Sequence, residues 1–197
     1  MTSIVIIAEG ETEDALLPAL REFLKEHYKL SPRILARRMD GTVFERGKLV
    51  RVIENLLREF GGHVFVLTDQ YGGTPAKNFS SPEEARRKLR EFVGDHPNVH
   101  VHVAAHDFEA WLIPLWDEIA RSIGSTKPAP PGAPEKLNNQ NPPSKRIQEL
   151  FRSAKKRYVK TRDAQKFLGR YGLKKSVDAC PELRALVEAI AAVCTAR

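Results

Sequence analysis

Short apolar runs alternate with segments of helical spacing along the first part of the chain, and this alternation restricts the fold more than any other feature. Ile4–Ala8, HVFVLTD at 63–69 and NVHVHVAAHD at 98–107 are typical of strands, and PRILARRM at 32–39 is a further candidate. Between them, apolar residues recur at spacings of three and four. Strands joined by helical crossovers predict an α/β fold with a central, mostly parallel four-stranded sheet flanked by helices.

The chain divides into three parts by composition. Residues 1–123 carry the strand–helix alternation and predict one α/β domain. Residues 124–143 are rich in Pro, Gly and Asn and predict an exposed connection. Residues 144–197 predict a basic helical C-terminal part, docked on the same domain, in which Ser144 caps the first helix. Its last helix, 183–193, is apolar enough to dock on the sheet or on a second subunit, so a homodimer is plausible.

Composition excludes several classes of protein. The chain has 197 residues, 42% of them hydrophobic and 29% charged, as in ordinary globular proteins. No apolar run approaches the roughly 18 residues that a membrane span needs, and no signal peptide precedes the first strand, so we expect a cytoplasmic protein. Cys180 and Cys194 lack metal-site spacing and indicate reduced thiols.

Acidic residues follow three of the predicted strands. The first strand ends in Glu9, the third in Asp69, and the fourth is followed by His106, Asp107 and Glu109. Because parallel strands end at one edge of a sheet, where α/β proteins bind ligands, these groups are expected to converge. Glu9 and Asp69 are the strongest candidates, since a helix dipole explains neither.

Four carboxylates lie close together at the first turn. Glu9 and Glu13 are four residues apart, and Gly10 between them allows a tight bend. Carboxylates this close repel each other unless a cation or a shared proton neutralises them, and hard oxygen ligands are typical of Mg²⁺ or Mn²⁺ sites. Glu11 and Asp14 are explained by the preference for acids at a helix N-terminus; Glu13 is open to either interpretation.

The segment HDFEAWL also has two interpretations. Glu109 is either a third carboxylate of the site or an ordinary acid in the first helical turn, while Phe108, Trp111 and Leu112 are expected in the core. His106 is more commonly a hydrogen-bonded structural histidine than a general base.

The excess positive charge is concentrated near the C-terminus. The chain carries a net charge of +7, and residues 144–175 are rich in Lys and Arg. Such a run is either a solvated helix surface or a face for a polyanion, since phosphate contacts supply most non-specific affinity for nucleic acids.

Four motifs in order carry a resemblance to a known family. They are AEGETED at 8–14, LTDQYG at 67–72, HDFEAWL at 106–112, and SKRI at 144–147, the last followed by KKRY and GLKKSVDACPEL. With them the sequence resembles Toprim-related proteins, most closely the prokaryotic domain family of unknown function numbered 4276, which is similar to the nuclease domains of OLD-family proteins.

The resemblance implies a compact Toprim-like fold that binds Mg²⁺ or a related ion. Glu9 matches the first-strand glutamate of Toprim sites, Glu13 the second glutamate of the EGxxE pattern, and Asp69 the first aspartate of the DxD motif. Tyr71 stands where that motif has its second aspartate, which is usual for the family of unknown function but removes one ligand of a two-metal site. Glu109 matches a later acidic position of OLD-like nucleases.

The basic residues of the motifs have implied roles as well. Lys145 or Arg146, otherwise a surface helix end, would meet the scissile phosphate and offset developing charge, and Lys160 is an alternative for this role. Lys155 and Lys156, with the rest of the basic tail, would bind the nucleic-acid backbone.

Two functions follow as hypotheses. The first is a metal-dependent nuclease acting on DNA, RNA or a tRNA, which the resemblance associates with phage defence and a nearby ABC-type ATPase. The chain has no GxxxxGK[ST] segment, so that ATPase would be another polypeptide. The second is a non-catalytic module of the same fold that binds an ATPase or nucleic acid, and Tyr71 favours it.

Overall fold

The computed structural model describes residues 2–10, 15–70, 79–137 and 141–196. A four-stranded sheet with the order β2-β1-β3-β4 forms its centre, and all neighbouring strands are parallel. The strands are β1 Ser3–Ala8, β2 Arg33–Arg38, β3 His63–Asp69 and β4 Val99–Ala104. The predicted α/β fold class with a mostly parallel four-stranded sheet is therefore confirmed.

Helices connect and cover the strands. They are α1 Leu16–Phe23 with a π-helical turn Leu24–Tyr28, α2 Arg46–Phe60, α3 Pro82–Val93, the 3₁₀ helix Phe108–Leu115 followed by α4 Trp116–Ile123, the short 3₁₀ turn Pro134–Lys136, α5 Pro143–Ser153, α6 Lys160–Tyr171, α7 Lys174–Ala179 and α8 Pro181–Thr195. Gly61 ends α2 with a φ of +59°, a conformation that glycine adopts without strain. The Ser81 side chain caps α3 by accepting the backbone N–H of Glu84.

The two faces of the sheet bury different helices. Ile4, Ile6, Phe65 and Leu67 share one core with α1 and the helices of the C-terminal part. The intervening residues, such as Val66, share the other core with α2 and α3. Successive side chains of a strand point to opposite faces, so continuous apolar runs in β1 and β3 are explained by burial on both sides.

The C-terminal helices extend the first of these cores. Ile147, Phe151, Phe167 and Leu183 are buried in the same cluster as the apolar residues of β1. The boundaries predicted at 123 and 143 stay a prediction, but the packing is continuous across them.

Two local predictions differ from the structure. The helix expected over 108–123 is a 3₁₀ helix up to Leu115, and Pro114 within it has no N–H for an α-helical bond. Ser144 does not cap α5, which begins at Pro143 with Pro142 preceding it. The backbone N–H of Ser144 instead donates to the carboxylate of Asp107.

The predicted connection between α4 and α5 is attached to the core by indole groups. Trp116 Nε1 donates to the Lys127 carbonyl at 2.8 Å, and Trp111 Nε1 donates to Glu135 Oε1 at 3.0 Å. Within the described residues, no helix has both the length and the apolar character required to cross a bilayer.

Candidate active site

The ends of β1 and β3 are joined by a hydrogen bond between side chains. The register places Ala8 beside Leu67, so Glu9 and Thr68 follow as neighbours, and the buried Thr68 hydroxyl donates to Glu9 Oε2. By strand alternation Thr68 and Asp69 point to opposite faces. Glu9 therefore reaches the carboxyl edge from the face of α2 and α3, and Asp69 from the face of the C-terminal helices.

Glu109 is the most buried acid of this region. It has no exposed surface and is the second residue of the 3₁₀ helix that follows β4. Its Oε1 accepts a hydrogen bond from Tyr158 Oη at 3.3 Å and pairs with Lys160 Nζ at 3.4 Å. Its Oε2 is buried and has no hydrogen-bond partner among the residues that the structure describes. One carboxylate oxygen is thus held by two donors and the other is available to a further ligand.

Asp107 lies beside Glu109 and is also buried. Both of its carboxylate oxygens accept the Ser144 backbone N–H at 3.1 Å. Burial, and then the negative charge of Glu109, raise the pKa of Asp107 to about 7, although Ser144 and Lys160 act in the opposite direction. Near neutral pH both the protonated and the ionised form of this acid are therefore populated.

Lys160 is the cation on which these acids converge. It is the first residue of α6, and its side chain remains about half exposed. Burial opposes its charge, but Glu109, Asp69 and Asp107 together outweigh burial and raise its pKa. Three carboxyl groups, which follow the ends of two strands, therefore interact electrostatically with one ammonium group.

Tyr158 holds Glu109 as a neutral donor. Burial and the adjacent Glu109 raise the pKa of its hydroxyl, so it keeps its proton at all physiological pH values. Its ring packs against Phe151 of α5, with centroids 5.2 Å apart. The residues between α5 and α6 thus bring both Tyr158 and Lys160 to the carboxyl edge of the sheet.

The remaining candidates lie elsewhere or outside the described residues. Lys145 is exposed on α5, and the described residues record no ion pair between it and the acids. Arg146 Nε donates to the Asn141 carbonyl at 2.9 Å. Lys155 and Lys156 are exposed after α5. Four further residues lie outside the described residues. They are the predicted ligand Glu13, its neighbours Glu11 and Asp14, and Tyr71, which replaces the second aspartate of the DxD motif.

The donor set is suited to a hard divalent cation. Asp69, Asp107 and Glu109 supply carboxylate oxygens near Lys160, and Glu9 supplies a further carboxylate from the other face of the sheet. Glu109 Oε2 is a buried acceptor with no described partner, and Lys160 is the ammonium group that the described residues place among the three acids. In the described ranges, no three His, Cys, Asp or Glu side chains already stand in a metal-holding arrangement. The chemistry of the site fits Mg²⁺ or Mn²⁺, and the ligand set stays a prediction.

A basic cleft adjoins the acids. It has a volume of about 340 Å³ and is lined by Gln148, Arg152, Lys156, Arg157 and Tyr158. Tyr158 belongs to both places, since its hydroxyl contacts Glu109. Tyr158 therefore connects the basic cleft to the acidic edge of the sheet.

Comparison with models of protein families identifies the family of this chain. The model of the domain of unknown function 4276 (DUF4276) matches residues 8–191. The chain belongs to the DUF4276 family. The match begins at Ala8, in the first of the four motifs, and includes every candidate residue named above. A search of curated proteins finds no match.

A solved structure shares the fold of this DUF4276 chain. The C-terminal region of the Burkholderia pseudomallei OLD protein superimposes with a TM-score of 0.53, at 20% sequence identity, over 96% of this chain and 97% of that one. The likeness shows a common fold, and it agrees with the relation to OLD-family proteins that the motifs indicated.

Sequence reasoning gave no role to Asp107 and did not identify Thr68 or Tyr158. Asp107 was named among the acids that follow the fourth strand, but it was given no role in the site. Thr68 precedes Asp69 and resembles an ordinary strand residue. Tyr158 is 49 residues from Glu109 in sequence, and only the packing of α5 and α6 brings the two together.

Proposed function

We propose that this DUF4276 protein is a divalent-metal-dependent nuclease that hydrolyses phosphodiester bonds in DNA or RNA. The observation that carries the proposal is the convergence of Asp69, Asp107 and Glu109 on Lys160, next to a basic cleft. Acids grouped around a cation at the carboxyl edge are typical of α/β catalytic sites.

The carboxylates would hold the ion. Glu109 would use its buried Oε2, and Asp69 and Glu9 would approach from the two faces of the sheet, with Glu13 as a fourth ligand. When bound, Mg²⁺ or Mn²⁺ polarises a phosphoryl oxygen and lowers the pKa of a water molecule.

The protein's own groups would then bind and move protons. Lys160, half-exposed beside the acids, would contact a phosphate oxygen and offset the negative charge that develops on it. Asp107, with its pKa raised to about 7, can accept a proton from the attacking water at neutral pH. Tyr158 keeps Glu109 in position by donating to its Oε1.

The direct test is incubation of the purified protein with single-stranded and duplex DNA and RNA in Mg²⁺, Mn²⁺ or EDTA. The proposal predicts cleavage of at least one substrate with either metal and none with EDTA. Intact substrates under all of these conditions, with and without an ATPase encoded nearby, would contradict it.

Arg152→Gln combined with Lys156→Gln tests the basic cleft. Both side chains line it and are exposed, so the double variant should bind nucleic acid more weakly while folding normally. The slope of log K against log salt is negative, and each lost phosphate contact reduces its magnitude by about 1. The double variant should therefore reduce the magnitude by about 2. Fluorescence anisotropy across a salt series measures the slope.

The matched control removes the same charge from another face. Arg51 and Arg58 are exposed on α2, on the opposite side of the sheet. Arg51→Gln with Arg58→Gln should leave the slope within about half a unit of the wild-type value, since long-range attraction alone is screened by salt. Equal slopes for both double variants would contradict a specific role for the cleft.

A second function is favoured by a different observation. Among residues 2–10, 15–70, 79–137 and 141–196, no three acidic or imidazole side chains stand ready to hold a metal, and Lys160 already neutralises part of the charge. A non-catalytic module that binds nucleic acid or a partner ATPase would have these properties. Salt-dependent binding through the cleft without metal-dependent cleavage would support the module.

Association with other proteins is part of both proposals. An ABC-type ATPase and a second copy of this chain remain the proposed partners, the latter through the apolar α8. α8 already packs on β4 and carries the ion pair of Glu182 with Arg86 of α3. Because these contacts bury its inner face, a homodimer would use the outer face, and sedimentation of the purified protein tests it.

A further inference from the structure

A second cavity lies at the β4 edge of the sheet, away from the acids. It has a volume of about 340 Å³ and opens between α3 and α8 over the first half of β4. The polar side chains that line it are Arg86, Arg90, Asp95, His96, His100 and His102. Glu109 and Asp107 follow the other end of β4, so the two sites lie at different ends of the strand.

The positive groups of this cavity come from one helix. Arg86 and Arg90 are four residues apart on α3 and project over the edge of β4. Arg86 Nη2 forms an ion pair with Glu182 Oε2 of α8 at 2.5 Å. No acid among the described residues forms an ion pair with Arg90, and Asp95 is the carboxylate that lines the cavity. Arg90 is therefore free to bind an incoming anion.

The histidines of β4 provide neutral hydrogen-bonding groups. The rings of His100 and His102 stack on Phe65, with centroids 4.4 and 5.8 Å away. His63 Nδ1 lies 3.1 Å from His100 Nε2. Burial, and then the charge of Arg86, lower the pKa of His102 to about 3, and burial followed by His63 lowers that of His100. At pH 7 these imidazoles are uncharged, so each has a single N–H. The N–H of His100 is available to a ligand in the tautomer in which His63 Nδ1 donates to His100 Nε2.

These groups suit an anion better than a metal ion. Neutral imidazoles are good zinc ligands, but the charge of Arg90, which forms no ion pair with a described acid, opposes a cation in the same space, while Glu182 already offsets the charge of Arg86. Guanidinium and imidazole N–H groups match the oxygens of a phosphate group, and arginine binds phosphate in a bidentate manner. The apolar part of the lining, including Val99, Val101 and Ala189, leaves room for the rest of a small molecule.

We propose that this cavity is a binding site for a phosphate group carried by a small phosphorylated molecule, distinct from the proposed nuclease site. Arg90 and Arg86 would contact the phosphate oxygens, and His100 and His102 would donate further hydrogen bonds. The site would bind its ligand without a metal ion and without catalysing a reaction. It is therefore independent of whether the protein cleaves nucleic acid.

The first test is calorimetric titration with inorganic phosphate, pyrophosphate and adenosine monophosphate. Arg90→Gln is expected to weaken the tightest of these about tenfold or more, because it removes a charge-assisted contact. Arg87→Gln removes the same charge from the same helix, but Arg87 faces solvent and pairs with Glu91. This control should change the affinity less than about twofold, as expected for a screened charge.

The second test places a carboxylate inside the cavity without changing β4. Ala185 and Ala192 are both exposed on α8, but only Ala185 lines the cavity. Ala185→Glu should abolish binding, whereas Ala192→Glu should retain it within about threefold, since both add the same charge to the same helix. Thermal unfolding of all four variants verifies that each is folded.

The outcomes separate cleanly. Loss of binding in Arg90→Gln and Ala185→Glu alone supports the site. No binding of any of the three phosphates by the wild-type protein, equal weakening by test and control variants, or binding of Zn²⁺ in place of phosphate would each overturn it. None of these results depends on nuclease activity.

Discussion

Asp69→Asn is expected to lower the rate of metal-dependent cleavage about 10²–10³-fold, as for the loss of one group that stabilises charge in a transition state. Asparagine has the same shape, so the strand end is preserved. It lacks the negative charge that would hold the cation and that acts on Lys160. Single-turnover cleavage in Mn²⁺ measures the rate, and anisotropy without metal should show unchanged binding of nucleic acid.

The same loss is expected for Glu109→Gln, and a surface aspartate serves as the control. Asp117 is exposed in the first turn of α4 and is not among the acids that act on Lys160, so Asp117→Asn changes the same chemical group outside the site. The control should cleave at the wild-type rate. Wild-type cleavage by Asp69→Asn, or an equal loss in Asp117→Asn, would exclude Asp69 from the reaction.

Asp107→Asn is expected to change how stability depends on pH. The pKa of Asp107 is raised from 3.8 to about 7 in the folded protein, so the folded state binds more protons than the unfolded state between these values. The free energy of unfolding should therefore fall as pH rises from about 4 to about 7, by at most about 4 kcal/mol at 1.36 kcal/mol per unit. The asparagine side chain of the variant does not titrate, so this part of the decline should disappear.

Urea unfolding in EDTA at intervals between pH 4.5 and 8 measures the effect. The variant should be more stable than the wild type at pH 8, because it removes a buried charge beside Glu109 while asparagine can still accept the Ser144 N–H. At pH 4.5 the two proteins should differ little. Parallel stability curves, with the same difference at every pH, would show that Asp107 titrates normally.

The sheet could be predicted from the sequence because its strands are buried on both faces. β3 has the bounds that its apolar run indicated, 63–69, and the carboxyl edge follows from parallel order alone. Helix starts were less predictable where a proline and a serine lie next to each other, because either residue can mark the first turn. Ser144 resembled a cap, but Pro143 already provides the first helical position of α5.

Only the part of the site that follows the strands could be predicted from the sequence. Glu9, Asp69 and Glu109 follow strands and were found from that position. Lys160 and Tyr158 reach the edge because the buried Phe151 and Phe167 pack α5 and α6 onto the same core as β1. Such long-range packing has no signature in one sequence. Lys145 or Arg146 was therefore predicted for the contact with phosphate, with Lys160 as an alternative, and the structure pairs Lys160 with Glu109.

Crystals soaked in Mn²⁺ test the central claim most directly, because anomalous scattering locates the ion without an activity assay. The account predicts a peak at the carboxyl edge of the sheet, about 2.1 Å from oxygens of Asp69 and Glu109. Asp69→Asn crystals should lack it. A peak elsewhere, or no peak at an Mn²⁺ concentration that supports cleavage, would contradict a metal centre formed by these strand ends.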